Sequence, residues 1–156
     1  SSNHGALHLR KAKSAGIPKA YIKGPHEVWG VPKTWEWSDE IVLKYPHIPE
    51  IVVRHQLSSN SKNNILARQC SVITGHFHST MELVCRTNHY GQLIFGAIIG
   101  CLIDRFNPTF GYASNQKDVQ QLGVMVILNG NPVLVPMWVD KNNKWVGPKA
   151  SRKLLK

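Results

Sequence analysis

Apolar positions along the chain follow different patterns before and after residue 50. Residues 7–15 are predicted to form a short helix that ends at Gly16 and Pro18, and residues 24–50 are rich in Gly, Pro and Trp. After residue 50, short β-branched runs separated by Gly, Asn, Pro and Ser predict strands. The runs are 51–53, 71–74, 81–85, 93–99, 109–113, 122–128 and 133–139. A second helix is predicted at 61–68, and Asn-Gly-Asn-Pro at 129–132 predicts a hairpin turn.

The predicted fold class is therefore α+β, mostly β after residue 50. The chain has 156 residues, of which 42% are hydrophobic and 18% charged, which suits one domain with an ordinary core. Within it we distinguish a basic helical N-terminus (1–23), a Pro/Gly/Trp-rich connection (24–50), a β-rich core (51–140) and a basic tail (141–156). No apolar run approaches the about 20 residues of a membrane span, so we expect no membrane partner and a cytoplasmic location.

Positive charge is concentrated at the two ends of the chain. The net charge is +10, yet residues 24–140 carry 8 basic and 9 acidic side chains, while 1–23 and 141–156 carry 5 and 6 basic ones and no acid. Basic ends attract polyanions, so nucleic acid is an expected partner, although such tails can also serve solubility alone. The candidate contacts are Arg10, Lys11, Lys13, Lys149, Arg152 and Lys153. Three tryptophans at 29, 35 and 37 are either a stacking platform for bases or anchors of a core or loop.

Histidines follow two of the predicted strands. His55 ends the run 51–53, and Gly-His-Phe-His at 75–78 follows the run 71–74. In an extended segment, His76 and His78 lie on the same side, and two strand ends can bring three imidazoles to one sheet edge. A metal site and a satisfied structural pair are both compatible with this pattern. Asn3 and His4 precede the first helix, where an amide oxygen can bind metal and an imidazole can act as an acid.

Taken in order, Ser-Asn-His-Gly at 2–5, His55 and Gly-His-Phe-His at 75–78 resemble three of the five motif blocks of the calcineurin-like metallophosphoesterase superfamily. Further stretches are similar to phage-encoded members of that family: 10–12, 15–18, 35–37, 39–40, 100–105 and 132–137. The resemblance covers nearly the whole chain but only the C-terminal half of the family's domain. It implies half of a two-sheet sandwich with a short N-terminal helix.

The resemblance also implies roles for five residues. Asn3, His55 and His76 would bind one metal ion, His78 would bind another, and His4 would protonate the leaving oxygen of a phosphate ester. The family uses two divalent ions, usually Mn, Zn or Fe, to hydrolyse phosphoesters.

The chain departs from the family pattern in ways that bear on activity. The Asp-x-His and Gly-Asp blocks do not occur in it, and the second of these supplies the aspartate that bridges both metals. Ser2 stands where the family has Gly, and Gly5 stands where it has Asp or Glu. Gln56 stands where the family has Gly. We therefore expect one bound ion or none, and weak or no activity from the isolated chain. A half-domain would also expose edges and an apolar face, so we expect a homo-oligomer or a separately encoded N-terminal half.

Two functions remain open at this point. In the first, the chain is part of a metal-dependent phosphodiesterase or nuclease that is complete only with the missing half. In the second, it is a truncated phage-type binding protein without catalysis, acting on nucleic acid or inhibiting a host defence protein. A fragment with no independent role is a third interpretation.

Overall fold

The computed structural model describes residues 7–103, 119–140, 142, 144 and 145. These residues form an α+β structure, mostly strands, with a five-stranded sheet, a two-stranded sheet and short helices, which confirms the predicted class. The contacts divide the chain into two compact units, Ser1–Ile41 and Val42–Lys156. In the part of the chain so described, no helix is both long and apolar enough to cross a membrane.

The first unit is built from short helical pieces with local caps. Helix α1 (Leu7–Ser14) is followed by a 3₁₀ turn (Lys19–Tyr21) and helix α2 (Pro25–Trp29). The predicted end of α1 is confirmed, because Gly16 adopts φ 71° and the Ile17 amide donates to the carbonyl of Ala12. None of the described residues 7–41 is buried. Local backbone hydrogen bonds therefore hold this unit, rather than a hydrophobic core of its own.

Most of the five-stranded sheet, whose order is β1-β2-β3-β5-β4, belongs to the second unit, and its first strand begins with the last two residues of the first unit. Its strands are β1 (Glu40–Leu43), β2 (Ile51–Arg54), β3 (Ser71–Thr74), β4 (Met81–Thr87) and β5 (Leu93–Ile99). Strand β3 is parallel to both β2 and β5, and β4 is antiparallel to β5. Helix α3 (Ser61–Arg68) connects β2 to β3, as expected for adjacent parallel strands.

Strands β6 (Gly123–Leu128) and β7 (Asn131–Pro136) form an antiparallel hairpin. Asn129 and Gly130 form its two-residue turn with φ of 49° and 80°, the left-handed backbone that Asn-Gly favours. The hairpin predicted at 129–132 is thus confirmed, as are the helix at 61–68 and the strands at 71–74 and 93–99. The strand predicted at 109–113 lies outside the described residues.

Both faces of the large sheet are covered. On one face, Ile51, Ile73, Phe95 and Ala97 form a buried cluster against which Met125 and Ile127 of β6 pack. On the other face, α3 crosses β5 at Gly96, where a Cβ atom would lie 2.6 Å from the Ser61 carbonyl oxygen and 2.7 Å from Ile65. Only glycine permits this close approach of helix and sheet.

The outer face of the hairpin is apolar and exposed. On β6, outward-facing side chains alternate with the inward-facing Met125 and Ile127. The outward-facing side chains of the hairpin are between 38% and 58% exposed, and they are Val124, Val126, Leu128 and Val133. A strand that carries apolar residues on both of its faces is typical of a sheet that is covered on both sides.

Candidate functional site

His55 and His76 meet at the carboxyl edge of the parallel strands. Arg54 is the last residue of β2 and Thr74 the last of β3, and these two residues are paired in the ladder. The residues that follow therefore emerge side by side, and the imidazole centroids of His55 and His76 lie 5.2 Å apart at an interplanar angle of 75°. Both side chains are half-buried. Of the three imidazoles expected at this sheet edge, the structure brings the rings of His55 and His76 into contact.

The backbone around His55 is held from two sides. The buried Thr74 donates its hydroxyl hydrogen bond to the His55 carbonyl at 3.3 Å. Ser58 lies three residues after His55 and is bound by the side chain of Asn64 on α3. The Asn64 side chain accepts from the Ser58 amide at 3.0 Å and donates to the Ser58 carbonyl at 2.9 Å. Sequence reasoning missed both supports. The strand-end position of Thr74 was a usable signal, whereas the clamp by Asn64 depends on a loop fold that no local pattern indicates.

His76 occupies a tight turn rather than an extended segment. Its φ is 71°, and the Phe77 amide donates to the Gly75 carbonyl at 2.9 Å, which is the hydrogen bond of a γ-turn centred on His76. The prediction of an extended segment through His76 and His78 is therefore wrong, because the chain reverses at His76. A non-glycine residue in this backbone costs on the order of 1–3 kcal/mol, and such strain is concentrated at functional sites.

Gly75 lies beside the ring of His55. A Cβ atom at this position would be 3.8 Å from His55 Nδ1 and 3.7 Å from the His55 carbonyl oxygen, which is ordinary van der Waals contact. The protein atoms around Gly75 therefore leave room for a side chain at this position.

His78 is fixed through its backbone by a different segment. Its carbonyl accepts from the Gln121 amide at 2.7 Å and lies 3.8 Å from the thiol sulfur of Cys101. Cys101 in turn pairs with Leu122 in an isolated parallel bridge. The loop that follows β3 is thus attached to the segment leading into β6, which limits its freedom to move.

The two imidazoles satisfy part of the requirements of a metal site. A metal–nitrogen bond of about 2.1 Å and a ring radius of about 1.1 Å place two imidazoles on one tetrahedral ion with centroids about 5.2 Å apart. The observed separation of 5.2 Å agrees with that value, and it is equally that of an edge-to-face ring pair, so the distance permits a shared ion without requiring one. Within residues 7–103 and 119–140, however, no group of three or more His, Cys, Asp or Glu side chains is placed to hold a metal ion. Asn3 and His4 lie outside the described residues.

The predicted nucleic-acid contacts are divided between described and undescribed parts. Arg10, Lys11 and Lys13 lie exposed on α1, whereas Lys149, Arg152 and Lys153 lie outside the described residues. The indole rings at 29, 35 and 37 are 51%, 57% and 43% exposed. This exposure disfavours the interpretation of the three tryptophans as core anchors.

No protein-family model, curated protein or solved structure matches the chain.

Proposed function

We propose that the second unit carries the C-terminal half of a metal-dependent phosphoesterase site. In this proposal His55 and His76 bind one divalent ion, and the remaining ligands come from polypeptide beyond the described residues. The observation that supports it is the contact between two half-buried imidazoles at the carboxyl edge of parallel strands, with centroids 5.2 Å apart. Ligand sites in sheets with parallel strands are common at that edge.

The nature of the donors supports a borderline metal such as Mn, Zn or Fe. Neutral imidazole is a common ligand for these ions. When bound, such an ion supplies Lewis-acid polarisation of a phosphate oxygen and activation of water. The role of the chain itself is to hold the two rings in place. The γ-turn at His76 and the Thr74 hydrogen bond to the His55 backbone do this before any ligand arrives.

The site needs further donors, and two features support their origin outside the described residues. The Asp-x-His and Gly-Asp blocks of the resembled family do not occur in these 156 residues. The outer face of the β6–β7 hairpin is apolar and exposed, as expected of a sheet that packs against more polypeptide. We infer that a further segment or a separately encoded N-terminal half supplies the missing carboxylate. Phosphodiester hydrolysis is then the reaction of the assembled site.

Metal content measures this proposal directly. The chain is brought to dialysis equilibrium with buffer that contains Zn²⁺ or Mn²⁺, so that an incomplete site stays loaded, and bound metal is counted by elemental analysis against that buffer. The matched variants are His55→Ala with His76→Ala, and a control with His47→Ala and His89→Ala, two exposed histidines of the same unit. We expect the wild type and the control to retain metal and the His55/His76 variant to lose it. Metal that survives in that variant, or a wild type that binds none, would contradict the proposal.

Turnover separates the role of His4 from metal binding. Any hydrolysis of a chromogenic phosphodiester is expected to disappear in His4→Ala while bound metal remains unchanged, because His4 is proposed to donate a proton to the leaving oxygen and not to bind metal. Equal turnover in the variant would remove His4 from the proposal without affecting His55 and His76.

A further inference from the structure

The first unit exposes its aromatic side chains. Tyr21 is 82% exposed, and Trp29, Trp35 and Trp37 are 51%, 57% and 43% exposed. Since no described residue between 7 and 41 is buried, these rings contribute little to a core within the unit. Indole rings carry a large apolar surface that a partner can cover, and tryptophan is among the residues most enriched at binding surfaces.

The carbonyl of Pro32 links the segments that carry the three tryptophans. The carbonyl of Pro32 accepts from the ring Nδ1 of His26 at 3.0 Å and from the amide of Trp35 at 3.1 Å. Because a carbonyl can only accept, His26 Nδ1 carries the proton. His26 lies on α2, which ends at Trp29, and its ring makes an edge contact with Trp37 at a centroid distance of 6.4 Å. These contacts restrain the Trp37 ring and the backbone that carries Trp29 and Trp35, which lowers the entropy lost on association.

The charge of the same unit indicates the chemistry of the partner. Residues 7–23 carry five basic side chains and no acidic one, and Lys11, Lys13 and Lys19 are exposed. Helix α1 has no acid in its first turn and two lysines in its last. Exposed cations adjacent in sequence to exposed aromatic rings suit a polyanion with flat apolar groups, and single-stranded nucleic acid has both.

We propose that residues 7–37 form a binding surface for single-stranded nucleic acid. The indole rings of Trp29, Trp35 and Trp37 stack on unpaired bases, and the basic side chains of α1 contact phosphates. A duplex is a poorer ligand, because its base faces are already stacked on one another. This surface lies within the first unit and does not depend on the histidine site of the second.

The negative charge of Glu36 allows a test of the sign of the partner's charge. Its carboxylate lies between Trp35 and Trp37 in the sequence and is exposed. Beside a phosphate backbone it is repulsive, so Glu36→Gln is expected to tighten nucleic-acid binding by a small factor. A cationic partner would instead be bound more weakly by the same variant.

The affinity of the chain is measured by fluorescence anisotropy for a labelled single-stranded DNA and for the duplex of that strand with its complement. Both titrations are made in buffer that contains a metal chelator. We expect the single strand to bind more tightly than the duplex. Replacing all three tryptophans with alanine should weaken single-strand binding by roughly tenfold or more. Replacement by phenylalanine should preserve most of the affinity, because phenylalanine also presents a stacking face. The control is Trp138→Ala, which removes an indole that is 59% exposed in the second unit and should leave affinity unchanged.

Salt dependence tests the phosphate contacts separately. The variant Lys11→Ala with Lys13→Ala should lower the slope of log Kd against log salt by about 1.4, since each phosphate contact to a single strand contributes about 0.7. Lys62→Ala, an exposed lysine of α3, is the matched control and should leave the slope unchanged.

Three results would overturn the proposal. They are equal affinity for single strand and duplex, an unchanged affinity in the tryptophan variant, and tryptophan-dependent binding of phosphatidylserine vesicles without binding of DNA. The last would identify a lipid surface as the occupant. The His55→Ala/His76→Ala variant should bind single-stranded DNA like the wild type, so loss of metal binding and loss of DNA binding are distinguishable failures.

Discussion

The two units of the molecule use aromatic side chains in opposite ways. Phe95 of the second unit is 5% exposed and lies in the cluster with Ile51, Ile73 and Ala97, whereas Trp35 of the first unit is 57% exposed. The second unit is stabilised by burial between an α-helix and a hairpin, and the first by local caps and turns. Substitutions of buried side chains in the second unit should therefore act on folding, while substitutions of exposed rings in the first should act on binding.

The largest expected effect comes from exchanging these two aromatic residues for alanine. Phe95→Ala should lower the free energy of unfolding by about 3–5 kcal/mol, because it leaves a cavity beneath the sheet. Trp35→Ala should change it by less than about 0.5 kcal/mol, because the ring is largely in water already. Urea denaturation followed by circular dichroism measures both. Comparable losses in the two variants would mean that the exposed rings of the first unit are structural after all.

A smaller effect is expected from adding one methyl group to a glycine. Gly96→Ala forces a Cβ atom against the Ser61 carbonyl and Ile65 and should destabilise the fold by about 1–3 kcal/mol. Gly24→Ala is the matched change in the first unit, where nothing lies within 4 Å of the added atom. Its midpoint in urea should stay close to that of the wild type. An unaffected Gly96 variant would contradict the close packing of α3 on β5.

The smallest of these effects concerns the loop after His55. Asn64→Ala removes both hydrogen bonds to Ser58 and should lower the free energy of unfolding by about 1–2 kcal/mol. It should also weaken metal binding, because the loop after His55 loses its clamp. Asn63→Ala, at an exposed neighbouring position, should affect neither quantity. If stability falls while metal affinity is unchanged, Asn64 supports the helix but not the histidine pair.

Local patterns were enough to predict most elements of the second unit. β-branched runs bounded by turn residues predicted β3 and β5, and Asn-Gly predicted the hairpin turn, because each signal acts over a few neighbouring residues. The close packing at Gly96 was beyond such reasoning, since it depends on a helix 28 to 35 positions earlier in the chain. The exposure of the Trp-rich segment was equally hidden, because tryptophan clusters are more often anchors.

The candidate site was predicted in part for the same reason. Two strands ending in histidine led us to expect three imidazoles at one sheet edge, and the parallel register of β2 and β3 brings two of them, His55 and His76, together. The relation between His76 and His78 was predicted wrongly. A positive φ at a histidine has no signature in hydrophobic periodicity or strand propensity, and one such residue reverses the chain.

Joint binding of one metal ion by His55 and His76 can be followed by NMR of the imidazole nitrogens during a Zn²⁺ titration. We expect the ring signals of His55 and His76 to change together and saturate at the same metal concentration, while those of His26, His47 and His89 stay in place. Separate saturation of His55 and His76, or no change at either ring, would contradict it.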